Sequence, residues 1–161
     1  MHQGHEPRAM NSGMMRKHYL LLALNLAISL LMYLVMFAMI WTWGEFFQNI
    51  NFFYMALMMW APMGSLMLLT MSMMYRNKKV NVILHLAFGL IFIFSFTGIR
   101  TQALVGDAQF LRSMIPHHSG AILMCEQARL SDPEVKALCS RAIVPSQKRE
   151  VEQMEAILAR R

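Results

Sequence analysis

The chain has 161 residues, 57% of them hydrophobic, and a formal net charge of +6. Its length fits a single domain. Its charge excludes nucleic acid as a partner: the basic surplus flanks apolar runs in residues 1–100, while residues 101–161 carry eight Lys/Arg against seven Asp/Glu and no basic stripe interleaved with aromatics.

The chain divides into a tail (1–18), an apolar region (19–100) and a polar region (101–161). The tail holds His2, His5, Met10, Met14, Met15 and His18 beside Arg8, Arg16 and Lys17. A short His/Met tract is a secondary candidate for metal binding. Three apolar runs follow, Tyr19 to Ile40, Phe52 to Met74 and Val80 to Ile99. Each is close to the ~20 residues that cross a ~30 Å hydrocarbon core as a helix. The tail and the loop Tyr75–Lys79 are basic, whereas Trp41–Asn51 has no Lys or Arg. The positive-inside rule then places the N-terminus in the cytoplasm and residues 101–161 outside, with Arg100 dissenting. In a bacterium this is an inner-membrane protein with a periplasmic C-terminal domain. Trp41, Trp43, Phe46 and Phe47 are expected to form an outer aromatic belt.

Within the second run Met55, Met59, Met63, Met67 and Met71 recur every four residues. Such a ladder drifts about 40° per step around a helix. Its bland reading is packing. Its sharper one is a Cu(I) path through Met59, Met63 and Met67. Pro62 and Gly64 would bend this helix or admit a close neighbour. His85 is an ionisable residue inside the third run, near its cytoplasmic end.

The polar region reads as two helices. Asp107 is placed to cap a helix running to about Leu130, with Pro116 removing one hydrogen bond and kinking it. Asp132 and Pro133 start a second helix, expected to reach about Ala159 with an interruption at Pro145. On the first helix Met114, His117, His118, Ala121, Met124 and Cys125 fall within an arc of roughly 120°. Thioether, imidazole and thiol together form a soft-ligand face suited to Cu(I). A short connection makes the two helices antiparallel. That would bring Glu150 and Met154 alongside the first helix, and Cys125 opposite Cys139. The cysteines could pair, Cys125 could ligate copper as thiolate, or they could remain free thiols or bridge to another chain. Sixty residues in two helices make a small core. A second copy would complete a four-helix bundle, so a homodimer or higher homo-oligomer is expected.

The run Asp107-x-x-Phe110-Leu111-x-x-Met114-Ile115-Pro116-His117-His118-x-x-Ala121-x-x-Met124 resembles the bacterial domain-of-unknown-function family numbered 305, whose best-known relatives are the copper- and silver-binding periplasmic CopM proteins. Asp132-Pro133-Glu134-Val135, Ile143, Gln147, Glu150-Val151 and Met154 extend the resemblance over about residues 103–159. It implies a ferritin-like helical bundle that binds Cu(I) or Ag(I) through Met114, His117, His118, Met124 and Met154. Family members often carry two such units, which fits pairing of a chain with one. Cys125, Cys139 and Pro145 depart from the family pattern.

The expected architecture is therefore all-α: three transmembrane helices, then an outward helical hairpin forming half of a ferritin-like four-helix bundle. The expected function is membrane-anchored binding of Cu(I), possibly Ag(I), for tolerance or delivery. The rivals are a copper transport component and a structural or sensory membrane protein. Thioethers are poor zinc ligands. A di-iron centre would need Glu-x-x-His pairs that are absent. With no triad, phosphate loop or acid–base pair in view, no catalytic activity is expected.

Overall fold

The computed structural model describes residues 12–161, without the side chains of Ser12 and Met15. His2, His5 and Met10 therefore lie outside the described residues. The fold is all-α. Helix α1 (Ser12–Ser29) continues as a 3-10 segment (Leu30–Met39), followed by α2 (Ile50–Thr70) and α3 (Lys78–Thr101). Beyond them come α4 (Asp107–Gln127), α5 (Pro133–Leu138), a π-helical turn (Cys139–Ile143) and α6 (Val144–Leu158). Three stretches, Arg16–Met39, Ile50–Thr70 and Lys78–Thr101, are long and apolar enough to cross a membrane. Their outward sides expose residues such as Leu20, Leu24, Leu31, Leu66, Leu86 and Leu90.

The switch from α to 3-10 geometry follows the Leu26 carbonyl. An unbroken α-helix would pair the Leu26 carbonyl with the amide four residues on. Here that carbonyl accepts from Ser29 Oγ at 2.9 Å and from Trp60 Nε1 at 2.7 Å. Two side-chain donors thus occupy the acceptor at the point where the helix narrows.

Helices α2 and α3 form the most extensive interface. A small residue on each allows it. A Cβ on Gly64 would lie 2.5 Å from Phe88 Cζ, and one on Gly98 would lie 2.9 Å from Tyr54 Cζ. The aromatic rings fill the space the glycines leave, and Phe88 is fixed from its other side by Trp60, ring centroids 5.5 Å apart. Leu22 and Leu26 of α1, Ala61 and Leu68 of α2, and Phe88 of α3 share one buried cluster. At the basic end Tyr19 Oη donates to Asn81 Oδ1 at 2.7 Å, and Asn81 Nδ2 donates to the Tyr75 carbonyl at 2.6 Å.

Between α3 and α4 the backbone reverses through two left-handed residues, Gln102 (φ 52°) and Leu104 (φ 61°). Non-glycine residues adopt this conformation uncommonly. Here the Ala103 amide bonds to the Gly98 carbonyl at 2.9 Å, and Tyr54 Oη holds the Ala103 carbonyl at 3.0 Å. The turn sends α4 back across the end of the bundle, where it pairs with α6.

Several local expectations change. The N-cap of α4 is Gly106, with Asp107 inside the first turn and paired with Arg161 at 2.7 Å. Helix α4 runs through Pro116 without a break and ends at Gln127. Asp132 does cap α5, its Oδ1 accepting from the Glu134 and Val135 amides at 2.7 and 3.2 Å. The second helix is in three pieces: Pro145 sits in the first turn of α6, and the π turn precedes it. Pro145 has no amide to offer the carbonyl one turn back, and the widened turn is where the helix accommodates that loss.

The expected aromatic belt is also redistributed. Trp43 is 85% exposed. Phe46, however, packs on Phe37 with ring centroids 4.3 Å apart, and Phe47 joins Ile115, Ile122, Val151, Met154 and Leu158 in the hairpin core. The expectation of a second copy assumes an uncovered hairpin core, and Phe47 covers part of that core from within the chain. Replacing Gly64 by Ala should lower stability by about 1–3 kcal/mol, because Phe88 has no room to yield. Thermal unfolding in detergent, compared with Gly89→Ala at an open position, would measure this.

Candidate functional site

The face of α4 that carries the candidate ligands is fixed by its opposite side. Ser119 is fully buried and donates from Oγ to Glu45 Oε2, while the Trp41 amide donates to the same Oγ. Glu45 is itself buried, and its Oε2 also accepts from the Thr42 amide at 2.9 Å. One carboxylate thereby closes the 3-10 turn Trp43–Glu45 and ties it to α4. One residue on, a Cβ on Gly120 would lie 3.4 Å from the Met39 carbonyl oxygen, so the helix rests closely on the end of the 3-10 segment. Gln109 Oε1 accepts from the Ile50 amide at 3.2 Å, and Asn51 Nδ2 donates to Ser113 Oγ at 3.2 Å. These contacts run along one side of α4 and leave Met114, His117 and His118 on another.

His118 is the best-positioned of the candidates. Its side chain is 13% exposed, and Nδ1 lies 3.0 Å from Glu150 Oε2 on α6. The carboxylate is out of line for a hydrogen bond, so Nδ1 is buried beside a charge without a directed partner. Burial lowers the His118 pKa below its ordinary value. The Glu150 carboxylate works against that shift, and His117 adds to it. Burial thus favours the neutral ring, the form in which imidazole ligates metals. His117 is exposed, with its ring centroid 6.0 Å from that of His118. Met114 is half-buried one turn earlier on the same helix. Residues three and four apart are neighbours on a helix surface. Two imidazoles and one thioether thus share this patch.

The remaining candidates differ in their surroundings. Met154 is half-buried and packs against the hairpin core. Met124 is 53% exposed, two turns along α4 from His117. Cys125 is joined to Cys139 in a disulfide, so of the alternatives left open by the sequence the structure contains the intramolecular bridge, and Cys125 offers no thiolate to the histidine patch. Among the described residues no three His, Cys, Asp or Glu side chains converge on one point.

In the apolar region the methionine ladder does not act as one row. Met59 and Met63 join Met32, Tyr33 and Trp60 around a cleft of about 200 Å³ between the first and second spans. Met67 instead packs against the interior cluster. Met14 is exposed on α1. His85 Nδ1 is 2.7 Å from the Asn81 carbonyl on its own helix.

Sequence reasoning foresaw Glu150 beside this helix but missed Glu45. A signal for it existed: only Glu6 and Glu45 are acidic in the first hundred residues. Near Glu45, Glu155 of α6 has its pKa raised by burial, and further by Glu45 and Glu152.

Comparison with known proteins bears on residues 97–159, which match the model of a family described as "Domain of unknown function (DUF305)". The chain is also 35% identical over 120 residues to "Uncharacterized protein L153" of Acanthamoeba polyphaga mimivirus, covering 73% of this chain and 76% of that one. The chain belongs to the DUF305 family. The similarity to the viral protein is longer than the family domain and therefore reaches back into the apolar helices. No solved structure matches.

Changing Ser119 to Val would leave the Trp41 amide unpaired and the buried Glu45 carboxylate with the Thr42 amide as its remaining donor. Each unpaired group costs about 1–3 kcal/mol. Amide hydrogen exchange across 41–49 should accelerate in that variant while α2 and α3 stay protected.

Proposed function

We propose that this DUF305 protein is a membrane-anchored binder of Cu(I), and of Ag(I) by the same chemistry, with no catalytic step. The supporting observation is the His118 ring, mostly buried between α4 and α6 with its Nδ1 3.0 Å from Glu150 Oε2. Were the ring to turn so that Nδ1–H donates to it, that carboxylate would orient the histidine and raise the basicity of its other nitrogen. Met114 and His117 supply thioether and a second imidazole beside it. This donor set fits a soft monovalent ion better than zinc or a hard cation. The charge pattern favours insertion with Arg16, Lys17, Arg76, Lys78 and Lys79 in the cytoplasm. The hairpin would then meet metal outside, in the periplasm of a bacterial host, for tolerance or delivery.

The full chain in detergent should bind Cu(I) in competition with a chromogenic chelator, and His117→Ala/His118→Ala should lose that binding. Glu150→Ala should weaken it about 10–100-fold, as loss of a carboxylate behind a ligating histidine does. Affinity indifferent to the histidines would sink the assignment.

A second reading rests on the cleft lined by Met32, Met59 and Met63. In this reading the protein passes Cu(I) across the membrane. Met59→Leu/Met63→Leu should then abolish Cu(I) uptake into proteoliposomes while leaving hairpin binding intact. Unchanged uptake would remove it.

A further inference from the structure

The Cys125–Cys139 pair lies away from the histidine patch, at the far end of the hairpin. Both residues are half-buried and border an open cleft of about 410 Å³, whose wall includes Glu126, Lys136 and Ser140. Cys139 opens the π turn, an irregularity often found at functional positions. The Cα atoms are 5.4 Å apart. That separation is kept by more than the bridge. Glu126 and Lys148 pair at 3.2 Å immediately beside Cys125, and Ile115, Ile122 and Val151 pack α4 on α6. The cysteines would therefore stay opposed after the bond is opened.

From this geometry we infer that the pair is a redox-gated site for a two-coordinate soft ion, Cu(I) or Ag(I), independent of the histidine patch. Oxidised, it staples the hairpin and binds nothing. A dithiol reductant reaches the bond through the cleft, since accessible disulfides are the labile ones. One reductant thiolate attacks a cysteine sulfur, the S–S bond breaks and a mixed disulfide forms. The second reductant thiolate resolves it. The reductant leaves as its own disulfide, and the two electrons remain on Cys125 and Cys139 as thiols. Cu(I) then replaces one proton on each sulfur, and both protons pass to solvent. Lys136, one turn before Cys139, favours the thiolate form. With no third His, Cys, Asp or Glu converging among the described residues, the pair suits an ion content with two sulfurs and disfavours zinc, which takes four ligands.

The test uses the full chain in detergent, oxidised or reduced with a phosphine that is then removed without oxygen. Cu(I) bound per chain is read by competition with bicinchoninate. The reduced chain should bind one more equivalent than the oxidised chain. The same increment should appear in His117→Ala/His118→Ala, so failure of the histidine site leaves this result readable. Cys125→Ser/Cys139→Ser should bind equally after either treatment. Equal stoichiometry in the oxidised and reduced wild-type chain would overturn the inference. So would a thiol count showing that the bridge resists reduction while the chain stays folded.

Discussion

Burial of the Glu45 carboxylate constrains the whole upper end of this protein. A charge removed from water must be met by donors, and the chain supplies them from two regions far apart in sequence: the Thr42 amide from its own turn and Ser119 from α4. Satisfying that one group forces the loop between the first two spans against the C-terminal hairpin. The close approach of Gly120, the insertion of Phe47 and the bond from Ile50 to Gln109 all follow from the same docking. The hairpin is thus seated on the apolar helices and does not hang from them by a tether.

Seating has a chemical result. His118 is next to Ser119 in sequence, so the residue that anchors α4 also sets the face of the helix from which His118 projects. Its partner Glu150 comes from α6, which Val151 holds against Ile115 and Ile122. The candidate ligand face is therefore determined by packing on its reverse side.

What the sequence reveals and what it hides follow from the range of the interactions. The three apolar spans, the Asp132 cap and the approach of Glu150 to α4 depend on periodicity or on neighbours a few residues apart, and they were legible. The 3-10 segment was not, because it depends on Trp60 reaching the Leu26 carbonyl from another helix. The fates of Phe46 and Phe47 were hidden for the same reason: a surface aromatic and a core aromatic look alike until the hairpin arrives. Pro145 was read correctly as a disturbance, but its form, a widened turn ahead of it, depends on how α6 packs. In the candidate site, residue types were legible and distances were not. Met124 is exposed while Met154 packs in the hairpin core, a difference that the shared pattern does not show.

The 3-10 segment Leu30–Met39 also alters the reach of the first span. A 3-10 helix rises about 2.0 Å per residue against about 1.5 Å in an α-helix. Ten residues in this form gain roughly 5 Å of height. Placed in a bilayer, that extra length acts as a spacer that lifts the Trp43–Glu45 turn toward the headgroup layer, where charge is tolerated more cheaply than among acyl chains. Membrane thickness then becomes a variable of the docking itself: a thicker hydrocarbon layer would draw Glu45 toward lipid and raise the cost of separating it from Ser119.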